Sequence, residues 1–128
     1  MSYTFSKTLN TGMDEAIERV TAQLKEEGFG VLTDIDVKAT LKKKIDVDFR
    51  PYRILGACNP GFAHKALQAE PEIGAMLPCN VVVQELEPGR VQVSAIDPIA
   101  SMQAVDNPAL GEVATQVQAK LRKVIDAL

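Results

Sequence analysis

Histidine occurs once in this chain and cysteine twice, and that scarcity removes most of the ligand-rich patterns by which metal sites announce themselves. Cys58 and Cys79 each stand alone, so neither belongs to a Cys-x-x-Cys pair of the kind that holds structural zinc. There is no glycine-rich phosphate loop, no Gly-x-Ser-x-Gly elbow and no His-Glu-x-x-His, and support for the familiar enzyme classes falls with them. Long apolar runs are missing as well: Ile54 to Cys58 and Val81 to Val83 are far too short to cross a bilayer. The opening Met-Ser-Tyr-Thr-Phe-Ser-Lys lacks a basic region followed by an apolar one. No secretory signal is read there, and the expected compartment is the cytoplasm, where free thiols are the default. Nor is there a strong charge of either sign. A net charge of −3 draws the molecule to neither nucleic acid nor an anionic membrane, and neither is expected as a partner. Without repeats, linkers or low-complexity stretches, residues 1–128 read as a single cooperative domain.

What is present is clear periodicity. Tyr3 to Leu9 alternates as a half-buried strand. Thr11 then reads as an N-cap, and Met13, Ile17, Val20 and Leu24 recur at helical spacing until Gly28, a glycine suited to ending a helix. Phe29 to Ile35 reads as a strand. Val37, Leu41 and Ile45 follow as a short helix whose outer face carries Lys38, Lys42, Lys43 and Lys44. Those lysines have two readings, an attraction for a phosphate-bearing ligand or a solvated face balanced by Asp34, Asp36, Asp46 and Asp48, and the second is favoured. Tyr52 to Ala57 is a continuous apolar strand. Asn59 as cap and Pro60 as first residue open a short helix through Phe62, Ala66 and Ala69. Pro78 to Leu86 and Val91 to Ile96 form a hairpin about Glu87-Pro88-Gly89-Arg90. Asp97-Pro98 ends the second strand, Met102 follows in a loop or single turn, and Asn107-Pro108 open a last helix with an apolar stripe from Leu110 to Leu128. The order β-α-β-α-β-α-β-β-α predicts an α+β domain of two layers, a mainly antiparallel sheet of about five strands with two long helices on one face.

The candidate chemistry gathers where strands meet turns. If Pro88 and Gly89 are the two hairpin loop residues, Glu87 faces Arg90, and counting back places Asn80 opposite Asp97. If the third and fourth strands are antiparallel neighbours, Cys58, Asn59, Cys79, Asn80 and Asp97 share one rim of the sheet. Four readings compete for it. The first is a reactive thiol at Cys58, just ahead of a helix N-terminus that favours thiolate, with Cys79 as a second or resolving thiol. The second is a soft-metal site, zinc or monovalent copper, drawing on Cys58, Cys79, His64 and Asp97 or Met102. The third is a pocket for a small molecule or anion in which Asn59, Asn80 and Asp97 supply hydrogen bonds. The fourth is structural: buried cysteines, capping asparagines and an Asp-Pro turn that only hold the fold. His64, the lone imidazole, reads more readily as a surface helix residue than as an acid or base. No cofactor is indicated, and binding is favoured over catalysis.

Gly28-Phe29-Gly30-Val31-Leu32, Leu55-Gly56-Ala57-Cys58-Asn59-Pro60, Leu77-Pro78-Cys79-Asn80-Val81, Asp97-Pro98 and Met102 together resemble the bacterial and archaeal family called domain of unknown function 302. The likeness covers nearly the whole chain, and the two Cys-Asn segments are its most specific part. It implies an α+β fold similar to the TATA-binding-protein-like arrangement, and homodimers. It implies neither DNA binding nor any activity.

Overall fold

In the computed structural model, which describes residues 2–128, the strands are β1 (Thr4–Leu9), β2 (Gly30–Asp36), β3 (Tyr52–Cys58), β4 (Cys79–Glu87) and β5 (Arg90–Ile96). They form one sheet in the order β1-β5-β4-β3-β2, with every neighbouring pair antiparallel. The helices are α1 (Met13–Glu26), α2 (Val37–Ile45), α3 (Pro60–Ala69), the single turn α4 (Pro98–Ser101) and α5 (Pro108–Asp126), with a 3-10 turn at Ile73–Met76. The α+β architecture expected from the sequence is the one observed.

Alternation explains the two faces of the sheet. Leu55, Ala57, Val81, Val83, Val93 and Ala95 are buried against Val20 and Leu24 of α1 and Val117, Leu121 and Val124 of α5. The intervening residues face away from that core. Across the sheet Ile35 pairs with Ile54, Ile54 with Val82, Val82 with Ser94 and Ser94 with Ser6. This row is aliphatic on three strands and hydroxylic on two, with the Ser6 and Ser94 hydroxyls 2.8 Å apart.

A second, smaller core of Ala66, Ile73 and Leu110 joins α3 and the 3-10 turn to the start of α5, with Leu77, Met102 and Val113 packed against it. Polar ties hold this satellite in place. The Asn107 side chain caps α5 by accepting from the Ala109 N–H at 3.1 Å, and its Nδ2 donates to the Ala69 carbonyl at 2.8 Å.

Three local features differ from the sequence-based expectation. The N-cap of α1 is Gly12, not Thr11, whose hydroxyl donates instead to the Glu15 carboxylate. On β2, Leu32 is an extra residue between the pairs Val31–Ala57 and Thr33–Gly56. On β4, Leu86 is likewise extra: Glu87 does face Arg90, but the next pair is Glu85 with Val91. These are β-bulges, each shifting the ladder by one residue.

Candidate functional site

Adjacent antiparallel β3 and β4 bring Ala57 opposite Cys79, so Cys58 and Cys79 lie at one rim, one step apart in register and alternating in face, although 20 residues separate them in the chain. Both are free cysteines, Cys58 half-buried and Cys79 buried. Beneath that rim lies a cavity of about 290 Å³, in the seam between the main core and the satellite. Its walls come from the ends of β3 and β4, from α3 and from α5. Phe29, Phe62, Leu67, Leu77, Met102, Val113 and Val117 make it apolar, Leu32 reaches it from the β2 bulge, and Cys58, Cys79 and Asn59 are its chemically distinctive members.

Burial governs the inner thiol. Desolvation pushes the Cys79 pKa up to about 11, and the nearby Cys58 adds to the rise, so Cys79 is a neutral thiol at physiological pH. The two cysteines are therefore unequal. An apolar setting that suppresses thiolate makes Cys79 a poor nucleophile, whereas Cys58 sits at the half-open edge, one residue before the cap of α3.

Asn59 is both wall and brace. Its Oδ1 accepts from the Phe62 N–H at 3.5 Å, capping α3, and its Nδ2 donates to the Glu27 carbonyl at 3.4 Å, tying the helix to the turn after α1. Gly28 in that turn has φ +85°, and a Cβ there would lie 3.1 Å from Asn59 Nδ2. A side chain at residue 28 would thus press on the brace as well as strain the backbone.

The other residues singled out in the sequence go elsewhere. Because of the Leu86 bulge, Val81 faces Ala95, and Asn80 falls level with Ile96 rather than opposite Asp97. Asn80 is exposed and alternates away from buried Cys79. Asp97 does not line the cavity: its Oδ1 accepts from the Ile99 N–H at 3.0 Å and from Gln118 Nε2 at 3.1 Å, capping α4 and fastening it to α5. His64 is exposed on α3 and also absent from the wall. Among the described residues no three His, Cys, Asp or Glu side chains gather as a metal cluster. Met102, by contrast, does line the cavity.

The apolar wall itself was not singled out by the sequence reading. Phe29, Phe62, Val113 and Val117 look like ordinary core positions in their own helices and strands, and nothing local says that their packing stops short of closing. One signal was present: small residues cluster on the facing surfaces, with Ala57, Ala63, Ala66, Gly74 and Ala114 all on the wall.

Residues 5–128 match the protein family described as Domain of unknown function DUF302. Among solved structures the chain resembles the crystal structure of the uncharacterized conserved protein DUF302 from Bacillus stearothermophilus, with 34% identity, a TM-score of 0.90, and coverage of 99% of this chain and 98% of that one. No curated protein matches the sequence.

Proposed function

The chain belongs to the family named domain of unknown function DUF302, a name that carries no activity, and from the cavity at its sheet rim we propose that the protein binds a small, predominantly apolar molecule. The observation that carries this reading is the cavity's size together with its lining. A space of about 290 Å³ lies near the lower end of small-molecule sites, which run to roughly 300–1,000 Å³. The only titratable side chains on its wall are the two thiols, so no acid–base pair favours turnover and the pocket suits binding. Asn59 supplies a side-chain amide on the wall, and Cys58, half-buried, is the less enclosed of the two thiols.

The test uses a graded series of n-alkanols and benzene, added to the isotopically labelled protein. Amide shifts confined to the β3 and β4 ends, α3 and the first half of α5 are expected, and Ala63→Leu, which extends a side chain into the cavity, should abolish them. Absence of saturable shifts for every probe, or shifts unchanged by Ala63→Leu, would remove the reading.

We also propose that the protein is a homodimer that uses the open face of its sheet. Support comes from the row Ile35, Ile54 and Val82, left uncovered by α1 and α5, with Ile35 still 49% exposed. An aliphatic band continuous over three strands is the kind of patch that a partner covers.

A further inference from the structure

We propose that the molecule taken by this cavity is a single-chain amphiphile, with an aliphatic tail of roughly ten carbons inside, its polar head left in solvent, and Leu32 closing over the chain at the mouth. This rests on the cavity being a binding site and names the class of its occupant.

The head is kept out by what the wall lacks. No charged side chain lines the cavity. Its one amide is engaged at both ends, Asn59 Oδ1 accepting from the Phe62 N–H and Nδ2 donating to the Glu27 carbonyl. The two thiols are weak hydrogen-bonding groups. A carboxylate, phosphate or hydroxyl drawn inside would lose its water without gaining a side-chain partner of comparable strength, at a cost greatest for an ion. Nucleotides and sugars, polar all round, do not fit for the same reason.

The cavity also has depth. Leu32 and Leu67 line it yet are 68% and 44% exposed, which places them where it opens to solvent. Ala57 of the main core, Ala66 of the satellite and Pro98 line it too and are buried, so it runs from the surface to the seam between the cores. An elongated molecule with one wet end and one dry end matches that space. An apolar cavity of about 150 Å³ takes one benzene ring, so about 290 Å³ accommodates roughly ten carbons, one chain and not two.

Leu32 owes its place to the bulge. As the extra residue between the pairs Val31–Ala57 and Thr33–Gly56, it is re-aimed relative to its neighbours, as bulges beside binding sites do. Its strand, β2, is at the edge of the sheet, so no strand lies beyond it to hold the side chain. A leucine left this exposed gains apolar burial when a chain lies beneath it.

The experiment measures dissociation constants, from amide shifts, for n-alkanols, n-alkanoates and n-alkyltrimethylammonium ions of about four to twelve carbons, each below its micelle concentration. Affinity is expected to rise about fourfold per added carbon and to level off at about ten carbons. At equal length the three heads should agree within about threefold. Leu32→Ala should weaken the longest chains at least threefold and leave the shortest unchanged, with circular dichroism confirming the fold. Affinity that is flat with length, a preference of more than about tenfold for one head, or longest chains untouched by Leu32→Ala overturns the inference. Alkanols or benzene that bind without the length dependence remove the amphiphile alone and leave the cavity a binding site. No saturable shift with any probe removes both.

Discussion

The environment of Cys79 makes a quantitative statement about stability. Its pKa is about 11 in the folded chain against an ordinary value near 9, so above pH 9 the unfolded chain gives up this proton first. The group's contribution is therefore fully present below pH 9 and lost as the pH rises through 11, reaching on the order of 3 kcal/mol for a shift of about two units. Urea unfolding of the wild type and Cys79→Ala at pH 7, 9 and 10.5 checks it, with the gap between the two proteins narrowing as pH rises. A constant gap would mean that the thiol is not held in its neutral form. Gly56 is the other residue whose neighbours dictate its identity: a Cβ there would overlap Thr33 Oγ1 and lie 2.7 Å from Pro78 Cγ. Thr33 can rotate, but the proline ring cannot. Gly56→Ala should cost about 1–3 kcal/mol of stability, seen as a lower thermal midpoint that Thr33→Ala only partly restores; full restoration would place the clash on Thr33 alone. At this scale the sequence was half legible. Cysteine at a strand-to-helix junction was visible as a candidate, but Asn80 and Asp97 were misjudged as facing one another, because one extra residue at Leu86 turns every inference of register by a step.

Elements were more legible than residues, since the periods of 3.6 and 2 survive whatever the neighbours do. The apolar spacing from Met13 to Leu24 and from Leu110 to Leu128 marked α1 and α5, and Asn59-Pro60 and Asn107-Pro108 marked two helix starts that the structure caps with those very side chains, while Asp97-Pro98, read only as the end of a strand, caps the single turn α4. What stayed hidden was what else the caps do. Asn59, Asp97 and Asn107 each bond a second element as well as their own helix, a tertiary fact with no local signature. The 3-10 turn at Ile73–Met76 was also hidden, being only four residues long between Pro71 and Leu77. The double duty of Asn107 makes the satellite core separable from the rest. Asn107→Ala removes the cap of α5 and the bond to Ala69, a loss of about 1–2 kcal/mol. Hydrogen exchange should then quicken at the end of α3 and the first turn of α5 while β4 and β5 keep their protection. Uniform loosening, or none, would mean that the satellite does not move as a unit.

The whole molecule has one sheet face that α1 and α5 cover and one that they do not. The covered face holds the core and, at one end, the cavity; the other carries exposed Ile35 and half-buried Ile54 and Val82 beside buried Ser94 and exposed Ser6. Five strands about 4.8 Å apart and about seven residues long span roughly 24 by 24 Å. A stable interface takes about 800 Å² of accessible surface from each partner, so a dimer built here has to engage most of the sheet and not a corner of it. Ile54 is at the middle of the aliphatic half, flanked by Ile35 on one side and Val82 on the other. A charge placed there would be buried unpaired against its symmetry mate, a penalty of several kcal/mol. Sedimentation equilibrium is therefore expected to return twice the chain mass for the wild type and the chain mass for Ile54→Arg. The alkanol shifts should persist in that variant, because its side chain leaves the sheet on the side away from the cavity. A wild type that sediments as a single chain, or an Ile54→Arg protein that still pairs, would take the open face out of the assembly, and loss of the alkanol shifts in a folded monomeric variant would show that the two faces are not independent.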